Sequence, residues 1–321
     1  LLAVAVSPDG KTAAVGGAGY YFGRQPLSPV FLINLRTGAL ARSLTDAVGS
    51  VMALSYSRDG ALLGAATTSG EIVVWNPRTG DAVLKLKTSP DPKTKKRDTV
   101  TDIAFSPADA NVFATVSGNG DLHVFTVNPA KETWEYLGKA LAAHSKGGDT
   151  RVAWHPDGDV LVTGGGDECL GVWKLDGARK AGDQLSRLSK ISKLGGQAFA
   201  IRYRPDGNGV VVAFAFGSTR TRVNPILVQI DKKGVQNDLL EFTELPDRQG
   251  QIVQIPAAAA VHISPDKSRR TYAFTGYDDH SIRLLVAGEE KGKTVRRALG
   301  GLSAGAWAVG FDADGTAVGW S

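Results

Sequence analysis

The chain contains very little sulfur and no histidine pairs. Cys169 is the one cysteine among 321 residues, so an internal disulfide framework is excluded. The histidines show no paired spacing of the kind that holds zinc; they are His123, His144, His155, His262 and His280. From these absences we expect neither a disulfide-stapled fold nor a metal site, and nothing in the sequence calls for a cofactor.

Long apolar runs are also missing. No stretch approaches the roughly 20 apolar residues of a membrane-spanning helix, and we expect no signal peptide. We therefore expect a cytoplasmic protein with no membrane partner. The chain begins without methionine, inside the apolar run Leu1-Leu2-Ala3-Val4, which favours a piece of a longer polypeptide. The net charge of +5 permits an acidic partner without requiring one.

Glycine, in contrast, is abundant, and one type of turn recurs seven times. Successive turns begin 50, 49, 49, 49, 60 and 48 residues apart, a spacing typical of repeat architectures. The turns are Ser7-Pro8-Asp9-Gly10, Ser57-Arg58-Asp59-Gly60, Ser106-Pro107-Ala108-Asp109, His155-Pro156-Asp157-Gly158, Arg204-Pro205-Asp206-Gly207, Ser264-Pro265-Asp266-Lys267 and Asp312-Ala313-Asp314-Gly315.

Short alternating apolar runs flank each turn, most clearly between Asp149 and Asp176. Period-two alternation indicates half-buried strands, and the Asp157-Gly158 pair favours a hairpin between the first two. Six units show four such strands, labelled a to d in chain order, whereas the seventh shows two. The predicted units are 1–48, 49–98, 99–148, 149–196, 197–256, 257–304 and the partial unit 305–321.

Repeated four-stranded antiparallel sheets predict an all-β, seven-bladed β-propeller with an incomplete seventh blade. We expect the missing strands to come from sequence outside these residues, because an open propeller would expose sheet edges. The chain resembles the WD-repeat propeller family over essentially its whole length. The resemblance implies, for unit four, a hydrogen-bonded tetrad that stiffens the blade; its members are His144, Thr163, Asp167 and Trp173.

Other units keep only part of that pattern. Unit two retains Trp75 but carries Ala65 and Ser69 where unit four has Thr163 and Asp167. The full tetrad is therefore expected in unit four alone.

Short pieces at both ends, Leu2 to Gly10 and Ala306 to Phe311, are similar to bacterial multidomain proteins that join a propeller to an effector such as a caspase-like peptidase. That similarity implies a sensor or regulatory module that binds an effector domain of the same polypeptide.

Inserted residues gather in the b–c and d–a connections, which emerge on one face of a propeller, here called the top face. Function concentrates on loops held by rigid scaffolds, so we expect the top face to bind a protein partner. Aromatic residues with arginine are typical interface anchors, and basic residues could contact a nucleic acid or an acidic surface instead. The predicted binding residues are Tyr20, Tyr21, Phe22, Arg24, Lys93, Lys95, Lys96, Arg97, Arg220 and Arg222.

Catalysis is not expected, although two features were considered. The string Gly301-Leu302-Ser303-Ala304-Gly305 matches a nucleophile elbow but leads into a predicted strand, whereas that motif needs a strand-to-helix turn. An enzyme with its site in the central channel would need converging polar side chains. The candidates are scattered: Ser55, Asp102, Thr150, Arg151 and Arg202.

Overall fold

A computed structural model gives the fold of most of the chain. The residues that it describes are 2–22, 25–88, 98–145, 150–175, 185–192, 194, 196–214, 226–230, 236–241, 256–263, 269–276, 282–288, 294–299, 308–311 and 317–320. Every regular element in these ranges is a β-strand. Within them, no helix has the length and apolar character needed to cross a membrane.

Six antiparallel sheets of four strands follow one another along the chain, and we call them blades 1 to 6. Blade 1 contains β1 (Ala3–Val6), β2 (Thr12–Gly16), β5 (Val30–Asn34) and β6 (Leu40–Leu44), with β3 (Tyr20–Phe22) and β4 (Gln25–Leu27) inserted between β2 and β5. Blade 2 contains β7 (Val51–Tyr56), β8 (Leu63–Thr67), β9 (Glu71–Trp75) and β10 (Ala82–Lys87). Blade 3 contains β11 (Val100–Phe105), β12 (Val112–Ser117), β13 (Leu122–Asn128) and β14 (Thr133–Ala140).

The second half repeats the pattern. Blade 4 contains β15 (Arg151–Trp154), β16 (Val160–Gly164), β17 (Leu170–Lys174) and β18 (Ser186–Ile191). Blade 5 contains β19 (Ala198–Tyr203), β20 (Val210–Phe214), β21 (Ile226–Ile230) and β22 (Gln236–Glu241). Blade 6 contains β23 (Pro256–Ile263), β24 (Arg269–Gly276), β25 (Ile282–Gly288) and β26 (Thr294–Leu299). In blade 7 the described residues form β27 (Ala308–Phe311) and β28 (Ala317–Trp320).

The first strands of the seven blades form a closed inner ring. Each contacts the first strand of the next blade, and β27 of blade 7 contacts β1 of blade 1. The predicted seven-bladed propeller, with two strands described in its last blade, is therefore confirmed. Because neighbouring strands are antiparallel, the a–b and c–d turns share one face, here called the bottom face, opposite the top face.

The core lies between the blades. Val162 packs toward Ile201 of blade 5, whereas Leu161, the residue before it, packs on the other side of the sheet with Trp154 and blade 3. Every residue of β16 is buried. The expected half-buried strand is therefore wrong for this central strand, because a blade inside the ring is covered by a neighbour on both faces.

The recurring turns pack against one another around the bottom of the ring. Gly158 has φ of 75°, and a Cβ built there would lie 2.4 Å from the Cβ of Ala108 in the preceding blade's turn. Glycine is needed at this position for its left-handed backbone and for the close approach.

Tyr20 to Phe22 form a strand, although the sequence predicted a loop. β3 pairs with β4 in the register Tyr20↔Leu27, Tyr21↔Pro26 and Phe22↔Gln25, and this ribbon belongs to no blade sheet. Aromatic residues favour strands, and a two-residue link beginning with glycine is a known hairpin signal. The sequence therefore contained the signal, in Gly23, that a hairpin interpretation needed.

Candidate functional site

The four side chains expected to form the tetrad meet at the interface of blades 3 and 4. Trp173 donates its indole N–H to Thr163 Oγ1 at 2.8 Å, and Thr163 Oγ1 lies 2.8 Å from His144 Nε2. His144 Nδ1 lies 2.8 Å from Asp167 Oδ1. Every group in this chain is satisfied when His144 carries one proton, on Nδ1, and the Thr163 hydroxyl donates to Nε2.

Neighbouring residues make room for the imidazole ring. His144 comes from the connection between β14 and β15, and its side chain is buried. A Cβ at Gly165 would lie 2.7 Å from His144 Cγ, so only glycine leaves space for the ring there. The backbone N–H of His144 donates to the carbonyl oxygen of Gly120 at 3.3 Å, which ties the network to blade 3.

The pKa of Asp167, at the end of this network, is lowered. Burial alone would raise the pKa of its carboxyl group. The hydrogen bond from His144, the charge of Lys190 and the N–H of Ser145 outweigh burial and hold that pKa below its ordinary value. Lys190 Nζ lies 3.7 Å from Asp167 Oδ2.

In blade 2, different residues supply the hydrogen-bond acceptor for the buried indole N–H of the tryptophan. Trp75 is fully buried and donates its indole N–H to Asp46 Oδ2 at 3.1 Å. Asp46 also accepts from Lys85 Nζ at 2.5 Å. Ala65, which stands where blade 4 has Thr163, takes no part. Sequence reasoning missed Asp46, because it lies in the d–a connection, where the family pattern calls for histidine.

The polar residues of the inner strands mostly join one blade to the next. Asp102 is buried; its Oδ1 accepts the N–H of Ile103 at 2.9 Å, and its Oδ2 accepts the N–H of Val152 at 3.0 Å. Burial raises the pKa of this carboxyl group, against the charges of Arg151 and Arg202. Ser55 Oγ accepts the N–H of Phe105 at 3.0 Å.

Arg151 and Thr150 also make hydrogen bonds between the inner strands of neighbouring blades. Arg151 donates to the carbonyl oxygens of Phe199 and Thr101 at 2.8 and 3.0 Å, and Thr101 Oγ1 donates to the carbonyl oxygen of Thr150 at 2.8 Å. The geometry gives these residues an inter-blade role. Arg202 differs, because its side chain is exposed and donates to its neighbour's carbonyl, that of Ile201.

The inner strands enclose a cavity of about 920 Å³ along the ring axis. Its described wall draws on six blades, and most of the lining is apolar. Five charged side chains line it: Arg58, Asp102, Arg151, Arg202 and Arg204. We call this cavity the central channel.

One group of potential metal ligands lies on the bottom face. Single ligand atoms of His155, Asp157 and Asp159 all fall within 4.8 Å of one another. His155 occupies the turn position held by serine in blades 1 to 3, and its Nδ1 accepts the N–H of Asp157 at 3.1 Å. Turn formation therefore already accounts for this histidine.

The predicted binding residues are only partly placed. Tyr20, Tyr21 and Phe22 form β3, on the connection between β2 and β5 of the top face. The other predicted residues lie outside the described ranges; they are Arg24, Lys93, Lys95, Lys96, Arg97, Arg220 and Arg222. The nucleic-acid alternative rests on these basic residues and stays a prediction. The string at 301–305, from which no catalysis was expected, also lies outside the described ranges.

Comparison with known proteins agrees with this geometry. Residues 137–174 match the family model described as WD domain, G-beta repeat, and this range contains all four tetrad residues. The chain folds as a β-propeller, and its fourth blade matches the WD-repeat model. The propeller is similar to the crystal structure of the Mitotic Checkpoint Complex, with TM-score 0.70, 13% identity, and coverage of 100% of this chain and 84% of that chain. The crystal structure of the Myceliophteria thermophila Cps50 (Swd1) beta-propeller domain gives TM-score 0.69 and 16% identity over 97% of this chain and 89% of that chain.

Sequence relatives match parts of the propeller. A guanine nucleotide-binding protein subunit beta of Oryza sativa subsp. indica is 30% identical over 132 residues, which cover 41% of this chain and 34% of that protein. Telomerase protein component 1 of Rattus norvegicus is 26% identical over 177 residues, or 55% of this chain and 6% of that protein. The propeller chain thus matches about a third of the length of the plant relative and far less of the rat one.

Proposed function

We propose that this propeller is a non-catalytic protein-interaction module that binds a protein partner on its top face. The observation that carries the proposal is the ribbon of β3 and β4. It is a two-stranded insertion in one b–c connection of the top face, and it contributes nothing to any blade sheet.

Comparison with the other blades supports this reading. The b–c connections of blades 2, 3 and 4 contain three, four and five residues, namely 68–70, 118–121 and 165–169. In blade 1 the same connection runs from residue 17 to residue 29 and contains both strands of the ribbon. Closing a blade therefore does not require the ribbon, and surplus structure on a rigid scaffold is a common place for recognition.

The top face also presents an exposed apolar side chain, in the connection between blades 3 and 4. Leu141, in the connection after β14, is 53% exposed. The next residue is held in place, because the N–H of Ala142 donates to Asp121 Oδ1 at 2.7 Å. An exposed leucine whose neighbour is held by a hydrogen bond is a suitable contact for a partner, and together with Tyr20, Tyr21 and Phe22 it defines the proposed surface.

The names of the similar proteins fit a role in assembly: one is a subunit of a guanine nucleotide-binding protein and another belongs to a checkpoint complex. We further propose that the partner is a regulated effector domain, in the same polypeptide or in another. The bacterial origin and cytoplasmic location expected from the sequence stay predictions, and the sequence relatives described above come from rice and rat.

The test is a quantitative capture experiment with Tyr20→Ala/Tyr21→Ala/Phe22→Ala. Proteins retained from an extract of the source organism are measured by mass spectrometry, and each candidate is then purified and titrated against the propeller. We expect at least one protein to bind the unaltered chain directly and to lose affinity more than about tenfold with the triple variant, because buried aromatic anchors dominate interface energies.

The matched control is Arg36→Ala/Arg78→Ala. Both arginines are exposed on c–d turns of the bottom face, away from the ribbon. This control should bind as the unaltered chain does. Equal binding of every partner by the triple variant, with its melting temperature unchanged, would overturn the proposal.

A further inference from the structure

The central channel carries an excess of positive charge, and the fold uses only part of it. Four arginines and one aspartate are the charged residues of its described lining, so the formal balance is 4 − 1 = +3. Charge of one sign in a cavity with low-dielectric walls concentrates the field and attracts ligands of the opposite charge.

The single carboxylate does not cancel this charge. Both oxygens of Asp102 accept main-chain N–H groups, from Ile103 and Val152. No ion pair of 4.0 Å or less joins it to an arginine of the described residues. Asp102 is therefore occupied by the seam between blades 3 and 4.

Two of the arginines are likewise occupied by the fold. Arg151 donates to main-chain carbonyls of three residues and stacks over the ring of Phe199. Arg204 is 5% exposed and forms an ion pair with Asp206, although its Nε has no partner among the described residues.

Arg58 and Arg202 are different, because both are exposed and neither is anchored strongly. Arg202 donates one N–H to the carbonyl of Ile201, and Arg58 reaches the carbonyl of Pro107 at 3.5 Å, the outer limit of a hydrogen bond. Arg58 adjoins Asp59, whose Oδ1 accepts from Ser57 and from the N–H of Ala61. Most donors of both guanidinium groups remain available to a ligand.

The repeat itself does not call for arginine at either position. Arg58 stands where four other described turns have proline: Pro8, Pro107, Pro156 and Pro205. Arg202 lies two residues before its turn, and its counterparts in blades 1 to 4 are Ala5, Ser55, Ala104 and Ala153. Small residues satisfy the fold there, so the two arginines are surplus to it.

The positions of these arginines favour an extended ligand. Arg58 belongs to blade 2 and Arg202 to blade 5, and the two blades are not neighbours in the ring. A single small anion contacts one side of the channel, whereas a chain with several carboxylates contacts both. The first strands β1 and β7 are also edge strands of their sheets, so main-chain groups face the channel beside the arginines.

We propose that the central channel binds an acidic polypeptide segment, which enters by the bottom face and places carboxylates against Arg58 and Arg202. The volume of about 920 Å³ suits several residues of extended chain. This site is separate from the top-face ribbon, so the channel can bind its segment whether or not the ribbon binds a partner.

The experiment measures binding of a fluorescein-labelled peptide of six glutamates by fluorescence anisotropy at low salt. We expect saturable binding to the unaltered chain, no binding of a six-lysine peptide, and a Kd about tenfold higher for Arg58→Gln/Arg202→Gln, since two exposed ion pairs are lost. Both arginines are exposed, so this variant should melt at the same temperature as the unaltered chain.

Arg36→Gln/Arg78→Gln is the matched control, because it removes two exposed arginines outside the channel and changes the net charge equally, from +5 to +3. An equal loss of affinity in this control would overturn the proposal in favour of general charge attraction. Absence of peptide binding to the unaltered chain would also overturn the proposal. Inorganic phosphate is titrated at matched ionic strength, and if it binds as tightly as the peptide with the same dependence on Arg58 and Arg202, the site takes small anions and the proposed segment is wrong.

Discussion

Blades 2 and 4 bury a tryptophan at the same place and satisfy its indole N–H in different ways. In blade 4, Trp173 bonds to Thr163 and is linked through His144 to Asp167. In blade 2, Trp75 bonds directly to Asp46, which is also held by Lys85. The strands and their registers are nevertheless equivalent, with Leu161 opposite Trp173 and Leu63 opposite Trp75.

The difference shows which features the sheet requires and which features the family model matches. A buried indole N–H must have an acceptor, but a hydroxyl and a carboxylate serve equally well. The match to the family model covers residues 137–174, where the threonine–histidine–aspartate pattern lies. Blade 2 forms the same sheet without that pattern. Apolar alternation therefore suffices for the sheet, and the polar network of blade 4 is one of several ways to satisfy the buried indole N–H.

Thr163→Val should have the largest effect on this comparison. It leaves Trp173 Nε1 and His144 Nε2 buried without a partner, at a cost of about 3 kcal/mol in the free energy of unfolding. Urea unfolding measures the loss. A change below about 1 kcal/mol would mean that water replaces the hydroxyl and that the network adds little.

Gly165→Ala should rank second. The added methyl group would lie 2.7 Å from the His144 ring and displace it, at a cost of about 2 kcal/mol. In blade 2 the equivalent position is Thr67, whose hydroxyl lies 3.0 Å from Ser69 Oγ. A side chain is therefore accommodated there in the blade that has Asp46 in place of the histidine. If Gly165→Ala unfolds at the same urea concentration as the unaltered chain, the ring is not confined as described.

Asp46→Ala should cost less than either change in blade 4. It removes the acceptor of Trp75 Nε1, but the Asp46 side chain is 31% exposed, so water can reach the indole N–H. We expect a loss of about 1 kcal/mol by urea unfolding. A loss as large as that of Thr163→Val would show that blade 2 depends on a single bond as strongly as blade 4 depends on its network.

The smallest expected effect concerns the fall in stability at low pH. The pKa of Asp167 is lowered in the folded state, so its contribution to stability is complete above the ordinary aspartate pKa of about 3.9 and is lost as pH falls through the folded-state pKa. Asp167→Asn should flatten the fall in urea midpoint below about pH 4. An unchanged pH profile in this variant would assign the acid sensitivity to other carboxylates, such as Asp46, whose pKa is also lowered.

The sequence predicted the features that repeat and missed those that occur once. Turn spacing and apolar alternation suffice to predict seven blades, because each unit repeats the same sequence pattern. Asp46, Asp102 and Arg151 are not part of the repeated sequence pattern, and their partners lie 29 to 50 residues away in the chain. Such pairs depend on how neighbouring blades meet, which no local pattern encodes. The ribbon of β3 and β4 was read as a loop because its strands are three residues long.

Hydrogen–deuterium exchange of the propeller with its purified partner tests the proposed function most directly. We expect binding to slow exchange in residues 18–22 and 25–29, and around Leu141, while the outer strands β10 and β18 exchange as in the free chain. Protection confined to the outer strands or to the a–b turns, with the ribbon unchanged, would contradict it.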